Sequence, residues 1–274
     1  MPEGHTIHRM ARDHMRWLSG GVVQASSPQG RFEAEARDLD GLQLLRTEAW
    51  GKHLFHHYGA DNGVSRWVLH VHLGLFGRVR MQKTPMKPPR GQIRLRLEGP
   101  SRGIDVSGPN TCELLKPEEV GTVTARLGPD PLRADADPER AWAALQRRRS
   151  ALGAVLMDQA VLAGIGNIYR TELLWLLKLD PLLPANQLSR AAFDALWTRT
   201  AELLALGVRT NRIITVPLDP SVNPHRLRRG ERLNIFKRAR CPRCEGPIVE
   251  LELRKRRAFL CPACQEGGGA RRRP

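Results

Sequence analysis

The chain has 274 residues and a formal net charge of +16 at pH 7, from 44 Lys and Arg against 28 Asp and Glu. This excess predicts a polyanionic partner, with nucleic acid favoured over an anionic membrane surface. No apolar run approaches the ~20 residues that span a bilayer, and basic side chains between residues 5 and 12 interrupt any signal-peptide core. Five cysteines, arranged as two CxxC pairs and a lone Cys112, indicate a metal site in a reducing compartment rather than a disulfide framework. We therefore expect a folded cytoplasmic protein.

The chain begins Met1-Pro2-Glu3-Gly4. Trimming of the initiator methionine leaves Pro2 with a free secondary amine. An α-amino group titrates near ~7.7–8.0, so much of it is an unprotonated nucleophile at neutral pH. Its attack on a sugar aldehyde carbon gives a cationic iminium, which acidifies the neighbouring C–H and drives elimination of the attached phosphate. Met-Pro starts also occur in many proteins without this chemistry, so the rest of the chain has to decide.

The first 115 residues predict one helix followed by short strands. A helical face is formed by Ile7, Met10, Ala11, Met15 and Leu18, and Gly20-Gly21 ends that helix. Residues 92–98 alternate between polar and apolar, which is typical of a half-buried antiparallel strand. Residues 50–58, 66–73 and 77–81 predict further strands, and the proline-rich stretch 84–91 predicts a projecting loop. We interpret residues 2–115 as an antiparallel β-sandwich with one leading helix.

Residues 116–215 predict a helical domain. A rigid connector at 127–132 is followed by Asp137 and Pro138, a favoured pair for starting a helix. Helical periodicity continues over 151–162, 167–177 and 191–206, with Ser189 as the cap of the last helix. The turn at 163–166 contains two glycines, and Asn167 stands where it would cap the next helix. Backbone N–H groups at such a start bind phosphate well; a plain helical hairpin turn is the alternative.

Residues 216–274 carry 15 Lys and Arg against 6 Asp and Glu, so +9 of the net charge lies in this segment. Two CxxC pairs, Cys241/Cys244 and Cys261/Cys264, are sixteen residues apart, close to the spacing of a four-thiolate structural zinc site on a β-hairpin. An unmetallated redox pair is the alternative. The basic run 254–257 falls on the second strand or the hairpin tip, where it is well placed to contact phosphates.

Taken in order, these motifs resemble the formamidopyrimidine-DNA glycosylase / endonuclease VIII (Fpg/Nei) family of base-excision repair enzymes. The resemblance rests on Pro2-Glu3-Gly4, on Leu-Gly-Pro-Asp-Pro-Leu at 127–132, on Gly-Ile-Gly-Asn-Ile-Tyr at 164–169 and on the terminal CxxC pairs. It implies an α+β multidomain fold: a β-sandwich at 2–115, a helix–two-turn–helix domain at 116–215, and a linker with a four-cysteine zinc-finger hairpin and basic tail at 216–274. It also implies a bifunctional DNA glycosylase and AP lyase.

The resemblance assigns roles to individual residues. Pro2 matches the family's nucleophile, Glu3 the adjacent acid and Lys52 the catalytic lysine near the DNA backbone. Only 7 of the 44 basic residues are lysine, which gives the match at Lys52 independent weight. Asn167 matches the phosphate-binding asparagine, and Arg256, five residues before Cys261, matches the phosphate-binding finger arginine, although Arg257 stands next to it.

A base inside a duplex must be extruded before it can be excised, and apolar side chains fill the gap. The loop His72–Gly77 resembles the family's void-filling loop, with Leu75 and Phe76 as the inserted pair; core positions at a strand end are the alternative. The Pro-Glu-Gly start, and the absence of an Arg-Phe-Gly motif near 107–110, are more similar to the endonuclease VIII branch, which implies oxidised pyrimidines as substrates. Thr6 replaces a glutamate common in both branches.

Several further expectations follow from the resemblance. We expect one structural Zn²⁺, no redox or nucleotide cofactor, damaged double-stranded DNA as the partner, no membrane partner, a monomer, and association with the nucleoid. Three alternatives stay open: a purine-directed formamidopyrimidine-type glycosylase, a non-catalytic zinc-finger protein that binds damaged DNA, and a zinc-ribbon accessory module. The last explains the tail and the charge but not the N-terminus.

Overall fold

The computed structural model describes residues 2–60, 63–219 and 221–265. Contacts divide the chain into two compact units, the first ending at Arg126 and the second beginning at Leu127. Within the described residues, no helix has the length and apolar character that a membrane span requires.

The first unit is a β-sandwich, as the sequence predicts. One sheet has the strand order β2-β3-β4-β8 and the other β1-β6-β7-β5, with all neighbours antiparallel. The elements are α1 (Gly4–Leu18), β1 (Gln24–Ser26), α2 (Glu33–Leu39), β2 (Gln43–Trp50), β3 (His53–Gly59), β4 (Ser65–His72), β5 (Arg78–Lys83), β6 (Ile93–Glu98), β7 (Arg102–Ser107), β8 (Thr111–Leu115), a 3₁₀ turn Pro117–Glu119 and α3 (Val120–Thr124).

The sandwich core lies between the two sheets and α1. The apolar face of α1 contributes Ile7, Ala11 and Leu18, the predicted periodicity, and the sheets contribute alternate residues such as Leu54 and Leu95. Burying each such side chain stabilises the fold by about 1.5–3 kcal/mol. The remaining buried members include Leu69, Val71, Leu97, Ile104 and Val106.

Three expectations for this unit need correction. The predicted strand 50–58 contains the last residue of β2, a turn and most of β3, because Gly51, with φ +58°, turns the chain at Gly51-Lys52. A second helix, α2, lies in a stretch that the helical and strand patterns missed. The 84–91 loop does not project: the Met86 N–H donates to Glu98 (2.8 Å) and Arg96 donates to the Lys87 carbonyl (2.9 Å), so polar side chains of β6 draw the loop onto the sheet.

The second unit is helical and ends in a hairpin. Its elements are α4 (Pro138–Gln146), α5 (Leu152–Val155), α6 (Asn167–Leu176), α7 (Arg190–Thr210), β9 (Val249–Leu253) and β10 (Arg256–Leu260), with 3₁₀ turns at Ala185–Gln187, Pro224–Arg226 and Arg229–Glu231. The predicted caps are present: the Asp137 side chain accepts from the Glu139 N–H and the Ser189 side chain from the Ala192 N–H.

The predicted helix 151–162 was wrong beyond Val155. The Asp158 side chain accepts a hydrogen bond from the Ala160 N–H (3.0 Å). The Gln159 side chain donates to the Met157 carbonyl (3.2 Å) and accepts from the Gly164 N–H (3.0 Å). Side-chain bonds of this kind compete with helical ones. The apolar residues of this stretch are buried, since Val161 and Leu162 lie in the core of this unit. Their spacing therefore indicates burial and not a helix. The boundary between a helical domain and a finger region at residue 215 stays a prediction.

Candidate nucleic-acid interface and active site

The chain start is held by the helix that follows it. Glu3 lies at the N-cap position of α1 with extended backbone (φ −116°, ψ 175°), its side chain is completely buried, and Pro2 is half-buried. A carboxylate at a helix N-terminus is favoured by the helix dipole. Pro2 therefore lies on an ordered helix start rather than on a frayed end.

The orientation of α1 against β2 brings the helix start to one end of the sandwich. Val22, just beyond the helix, bridges Gln43 at the beginning of β2, and halfway along the helix the Thr47 hydroxyl donates to the Ala11 carbonyl at 2.6 Å. The two elements thus run in opposite directions. From the contact between Ala11 and Thr47, the start of α1 and Trp50 at the end of β2 each lie about 10 Å away in the same direction. Pro2 and Glu3 therefore lie at the same end of this unit as the β2–β3 turn.

That turn carries Lys52, which is half-buried. Burial, followed by the charges of His72, His70 and Lys52, lowers the pKa of His53 to about 3. Burial, followed by His70 and Lys52, also lowers the pKa of His72. Interactions between charges weaken with distance, so Lys52 lies near both imidazoles. At neutral pH both imidazoles are therefore uncharged, and the Lys52 ammonium supplies the positive charge of the group.

The histidines beside Lys52 form a hydrogen-bonded row that the sequence analysis missed. His53 Nδ1 and His70 Nε2 are 2.8 Å apart, and His70 Nδ1 is 2.8 Å from Glu113 Oε1. The His53 and His72 rings stack at 4.6 Å. A signal was available: His70 and His72 are two apart in a predicted strand and must share one face of the sheet.

The loop after β4 lies at the same end, because His72 pairs with His53 next to the turn. Leu73 is buried, whereas Leu75 is 45% and Phe76 83% exposed, so these two are not core residues. Gly77 is required here, since a Cβ would lie 2.3 Å from the Leu73 carbonyl oxygen. The tight loop thus presents two large apolar side chains to solvent, as an inserted pair requires.

In the second unit, Asn167 is the first residue of α6, and the N-cap position belongs to Gly166, so the predicted capping role was wrong. Its side chain instead reaches the finger hairpin: Nδ2 donates to the Arg257 carbonyl at 3.0 Å. Buried Arg170 donates to the same carbonyl at 3.1 Å and also to Asn167 Oδ1. The helix start and the finger arginines therefore form one surface, and Arg170 is a linking residue that sequence reasoning missed.

The finger tip is a two-residue turn. Arg254 (φ +48°) and Lys255 (φ +58°) both adopt the left-handed conformation, which gives β9 and β10 a tight connection. Arg257 forms an ion pair with Glu250 at 3.4 Å. Within the described residues Arg256 forms no ion pair.

The four cysteines come together at the base of this hairpin. Their Sγ atoms all lie within 4.8 Å of one another, with Cys241–Cys264 at 3.8 Å and Cys244–Cys261 at 3.4 Å. These separations exceed the ~2.05 Å of a disulfide, and four thiolates about 2.3 Å from one ion stand at this spacing. Burial raises the pKa of Cys241, but N–H donors including that of Trp175 lower it to about 6. The donor set fits a metal ion.

Buried carboxylate Glu172 anchors the chain that leads into the finger. It accepts hydrogen bonds from the Thr215 hydroxyl (2.5 Å), the Asn234 side chain (2.9 Å) and the backbone N–H groups of Asn234 (2.7 Å), Ile235 (2.9 Å) and Phe236 (2.8 Å). Five donors satisfy a charge that is otherwise costly to bury. Trp175, one turn along α6, packs against Cys241 and donates to its sulfur at 3.3 Å. Helix α6 thus positions both the linker and the metal site.

Comparison with known proteins places the chain in a class. Residues 1–108 match the model of the formamidopyrimidine-DNA glycosylase N-terminal domain, and residues 127–217 match that of the formamidopyrimidine-DNA glycosylase H2TH domain. The chain belongs to this family of DNA repair enzymes, the DNA glycosylases with AP lyase activity that include the endonucleases VIII.

Particular relatives refine this. The chain is 45% identical to "Endonuclease 8 1" of Mycobacterium tuberculosis (strain ATCC 25618 / H37Rv), over 97% of this chain and all of the relative. It is 30% identical to "Endonuclease 8" of Pectobacterium carotovorum subsp. carotovorum, with the same coverage. Among solved structures, the complex between the Lactococcus lactis Fpg and an abasic site containing DNA superposes with a TM-score of 0.80 at 22% identity, covering 96% of this chain and 99% of that one. This last likeness supports the fold.

Proposed function

We propose that this protein excises oxidised bases from double-stranded DNA through a Schiff base on Pro2 and then cleaves the strand at the resulting abasic site. The observation that carries the proposal is the convergence at one end of the first unit. The ordered start of α1, the Lys52 turn and the exposed Leu75-Phe76 loop all lie there. A nucleophile, a cation and an apolar wedge are the three parts that excision from a duplex needs.

The amine lone pair of Pro2 attacks C1′ of the extruded nucleotide, and the bond from C1′ to the base breaks, so that the base leaves with that electron pair. The nitrogen loses its proton after the attack, and Glu3 delivers a proton to O4′ as the C1′–O4′ bond breaks and the nitrogen lone pair forms the C=N bond. This is a task for a buried carboxyl group held at a helix start. The resulting iminium withdraws electrons from C2′. Loss of a C2′ proton then expels the 3′ phosphate by β-elimination, and a second, δ-elimination removes the 5′ phosphate where it occurs.

Lys52 binds the backbone phosphate beside the extruded nucleotide. Neutral His53 and His72 leave its ammonium as the local charge, so it meets the phosphate without repulsion between neighbouring cations. Leu75 and Phe76 enter the space that the base vacates. Replacing Leu75 with Ala removes a wedge and no charge, so excision from duplex should fall more than excision from single strands.

The second unit holds the DNA backbone. Asn167 and Arg256 each take a phosphate, and such contacts fix position without reading sequence. A Zn²⁺ held by Cys241, Cys244, Cys261 and Cys264 stiffens the hairpin that carries Arg256; it is structural, because four protein thiolates leave no open coordination position. We propose that the protein acts as a monomer on chromosomal DNA, with no other cofactor.

Oxidised pyrimidines are the proposed substrates. The Pro-Glu-Gly start and the absence of an Arg-Phe-Gly motif near residues 107–110 support this choice, as does the 45% identity with a protein named as an endonuclease 8. A purine-directed enzyme is the second candidate, because a "Formamidopyrimidine-DNA glycosylase" of Chloroflexus aurantiacus is also 30% identical over 73% of this chain.

One experiment tests the proposal. Purified protein is incubated with duplexes that each contain one oxidised pyrimidine, one oxidised purine or an abasic site, in the presence of borohydride. We expect reduction of the iminium to join the protein covalently to the DNA, with pyrimidine lesions trapped fastest. Absence of a covalent product with every lesion contradicts the amine mechanism. Faster trapping with purine lesions contradicts only the substrate choice.

A further inference from the structure

The outer face of the second sheet carries a groove with basic walls. The face is opposite the core, because Ile104 and Val106 of β7 point inward whereas Asp105 between them does not. Two adjoining depressions, of ≈ 290 and ≈ 200 Å³, share Arg80, Arg90 and Asp105 and so form one groove. We call it the Arg80 groove; its other lining residues are Arg78, Val79, Gln82, Lys87, Pro88, Ile93 and Ser107.

The only carboxylate among the lining residues of the Arg80 groove is already neutralised. Asp105 is buried and accepts two hydrogen bonds from Arg96, at 2.7 and 2.8 Å, and a third from Gln82 at 2.8 Å. A bidentate pair of this kind satisfies both charges. The groove floor is therefore close to neutral and cannot cancel the cations on its walls.

Those walls carry four exposed cations, Arg78, Arg80, Lys87 and Arg90. Across residues 2–60, 63–219 and 221–265 none of the four forms an ion pair. Two come from the edge strand β5 and two from the 84–91 loop, which Arg96 and Glu98 tie to the sheet. The loop cations are thus held over the strand cations before any ligand arrives.

Protection of the edge strand explains only part of this arrangement. Charged side chains on an edge strand prevent pairing with other chains, and β5 is the edge of its sheet. That role needs charge on β5 alone and does not account for Lys87 and Arg90, which come from the loop. Cations from two segments that converge over a neutral floor are typical of an anion site.

The Arg80 groove begins where the proposed wedge loop ends. Arg78 directly follows Gly77, and Ser107 directly precedes Gly108, whose Cβ would lie 3.8 Å from the Phe76 carbonyl oxygen. Arg78 and Arg80 are two residues apart on a strand, so their side chains lie on the same face of β5. A DNA backbone that leaves the wedge loop along this face passes both cations in turn.

We propose that the Arg80 groove binds the phosphate backbone of the duplex that flanks the lesion, so that this protein grips DNA beyond the segment held at the catalytic end. The proposal rests on the proposed function, since it takes the wedge loop as the point from which the DNA continues. From Arg78 to Gln82 the groove is about 14 Å long, which corresponds to about four base-pair rises.

The test asks whether the contribution of the groove charges to DNA binding depends on the length of the duplex. Binding is measured by fluorescence anisotropy at several salt concentrations with an uncleavable abasic-site analogue in a long and a short duplex. The long duplex has about 15 base pairs on each side of the analogue, and the short one has about 15 on one side and about 2 on the other, fewer than the groove spans. The short duplex is prepared with either side truncated, and the one that lowers the wild-type slope is used. The proteins are the wild type, the double variant Arg80→Gln with Arg90→Gln, and the charge-preserving double variant Arg80→Lys with Arg90→Lys. Thermal unfolding and lesion excision from the short duplex are measured for each.

For the wild type we expect a steeper dependence of log K on log salt with the long duplex than with the short one. The Gln variant should lose about two units of that slope on the long duplex alone, and the Lys variant should keep it. Three outcomes each overturn the proposal: equal slopes for the wild type and the Gln variant, the same loss of slope for the Gln variant on both duplexes, or a Lys variant that does not keep the wild-type slope. A wild type that excises nothing from either duplex refutes the proposed function instead, while the slopes still decide the groove.

Discussion

Two of the basic regions of this molecule, the Lys52 turn and the finger tip, are built in opposite ways. At the turn one half-buried ammonium lies among imidazoles whose pKa values are lowered. At the tip, four cationic side chains follow one another on the turn and at the start of β10: Arg254, Lys255, Arg256 and Arg257. A cation beside the reacting sugar acts more strongly where it is partly desolvated, whereas a region that only holds phosphates needs exposed charge. The difference supports the division of labour between chemistry in the first unit and binding in the second.

The two regions also differ in what makes them rigid. The turn is a hairpin within an eight-stranded sandwich, whose core exists without any ligand. The finger has a small core of Trp175, Ile235, Phe259 and two of the cysteines, too few apolar side chains to order a hairpin alone. We therefore expect changes at the first region to reduce activity without unfolding it, and loss of the metal to unfold the second.

The largest effect should come from blocking the amine. An N-terminal extension that leaves any residue before Pro2 converts the amine into an amide, so lyase activity should fall by at least about a thousandfold, while DNA binding changes little. Strand cleavage and anisotropy report the two quantities. The same extension carrying a protease site that exposes Pro2 on cleavage is the matched control, and full activity of the uncleaved protein contradicts a role for the amine.

Removal of the metal should have the next largest effect, and it should act on the finger and not on the Lys52 turn. Cys241→Ser, or treatment with a strong chelator, should unfold the hairpin and remove the Arg256 contact, because metal binding and folding are coupled in such sites. Trp175 donates to the Cys241 sulfur, and its ring centroid lies 4.0 Å from the Arg243 guanidinium, so its fluorescence should change. Cys112→Ser, outside the cluster, is the control. A zinc-free protein with unchanged fluorescence and DNA affinity would refute the assignment.

The anchor of the finger linker should be the most sensitive single polar site of the second unit. Glu172→Gln preserves volume but points an amide N–H₂ at donors that need an acceptor, and each buried donor left unpaired costs about 1–3 kcal/mol. We expect the free energy of unfolding to fall by about 3–5 kcal/mol, measured by urea titration. Exposed Glu202→Gln should leave it unchanged. A loss below about 1 kcal/mol would mean that water replaces the missing acceptor.

Sequence reasoning captured what local chemistry determines and missed what tertiary contacts determine. The start at Pro2, the caps at Asp137 and Ser189 and the four cysteines are signalled by residue type and spacing. The His53–His70–Glu113 row depends on which strands become neighbours, and β8 joins β4 only after a long excursion of the chain. Likewise nothing in the sequence around Asn167 indicates that its side chain bonds a carbonyl ninety residues away.

Acid should destabilise the first unit through its buried histidines. Burial, partly offset by Asp13, lowers the pKa of His14 to about 4, and the pKa of His56, 3.1 Å away, is also lowered. Below about pH 6.5 these histidines bind protons in the unfolded chain but stay neutral in the folded chain. The free energy of unfolding therefore falls as the pH drops from about 6.5 towards 4. At pH 5 one such histidine lowers the free energy of unfolding by about 2 kcal/mol. His14→Gln should make this pH dependence shallower and exposed His225→Gln should not; identical profiles would contradict the assignment.

The smallest expected effect distinguishes the two adjacent finger arginines. Arg256 has no ion pair within the described residues, whereas Arg257 pairs with Glu250 at 3.4 Å and its backbone is bonded by Asn167 and Arg170. If Arg256 takes the phosphate, Arg256→Ala should flatten the dependence of log K on log salt by about 0.9, equally for damaged and undamaged duplex. Arg257→Ala should change the slope less, because Arg257 is already paired with Glu250 and its removal breaks no phosphate contact. Arg256→Lys keeps the charge and should keep the slope. A larger change for Arg257→Ala would transfer the phosphate to Arg257, and no change for either would confine the finger to a structural role.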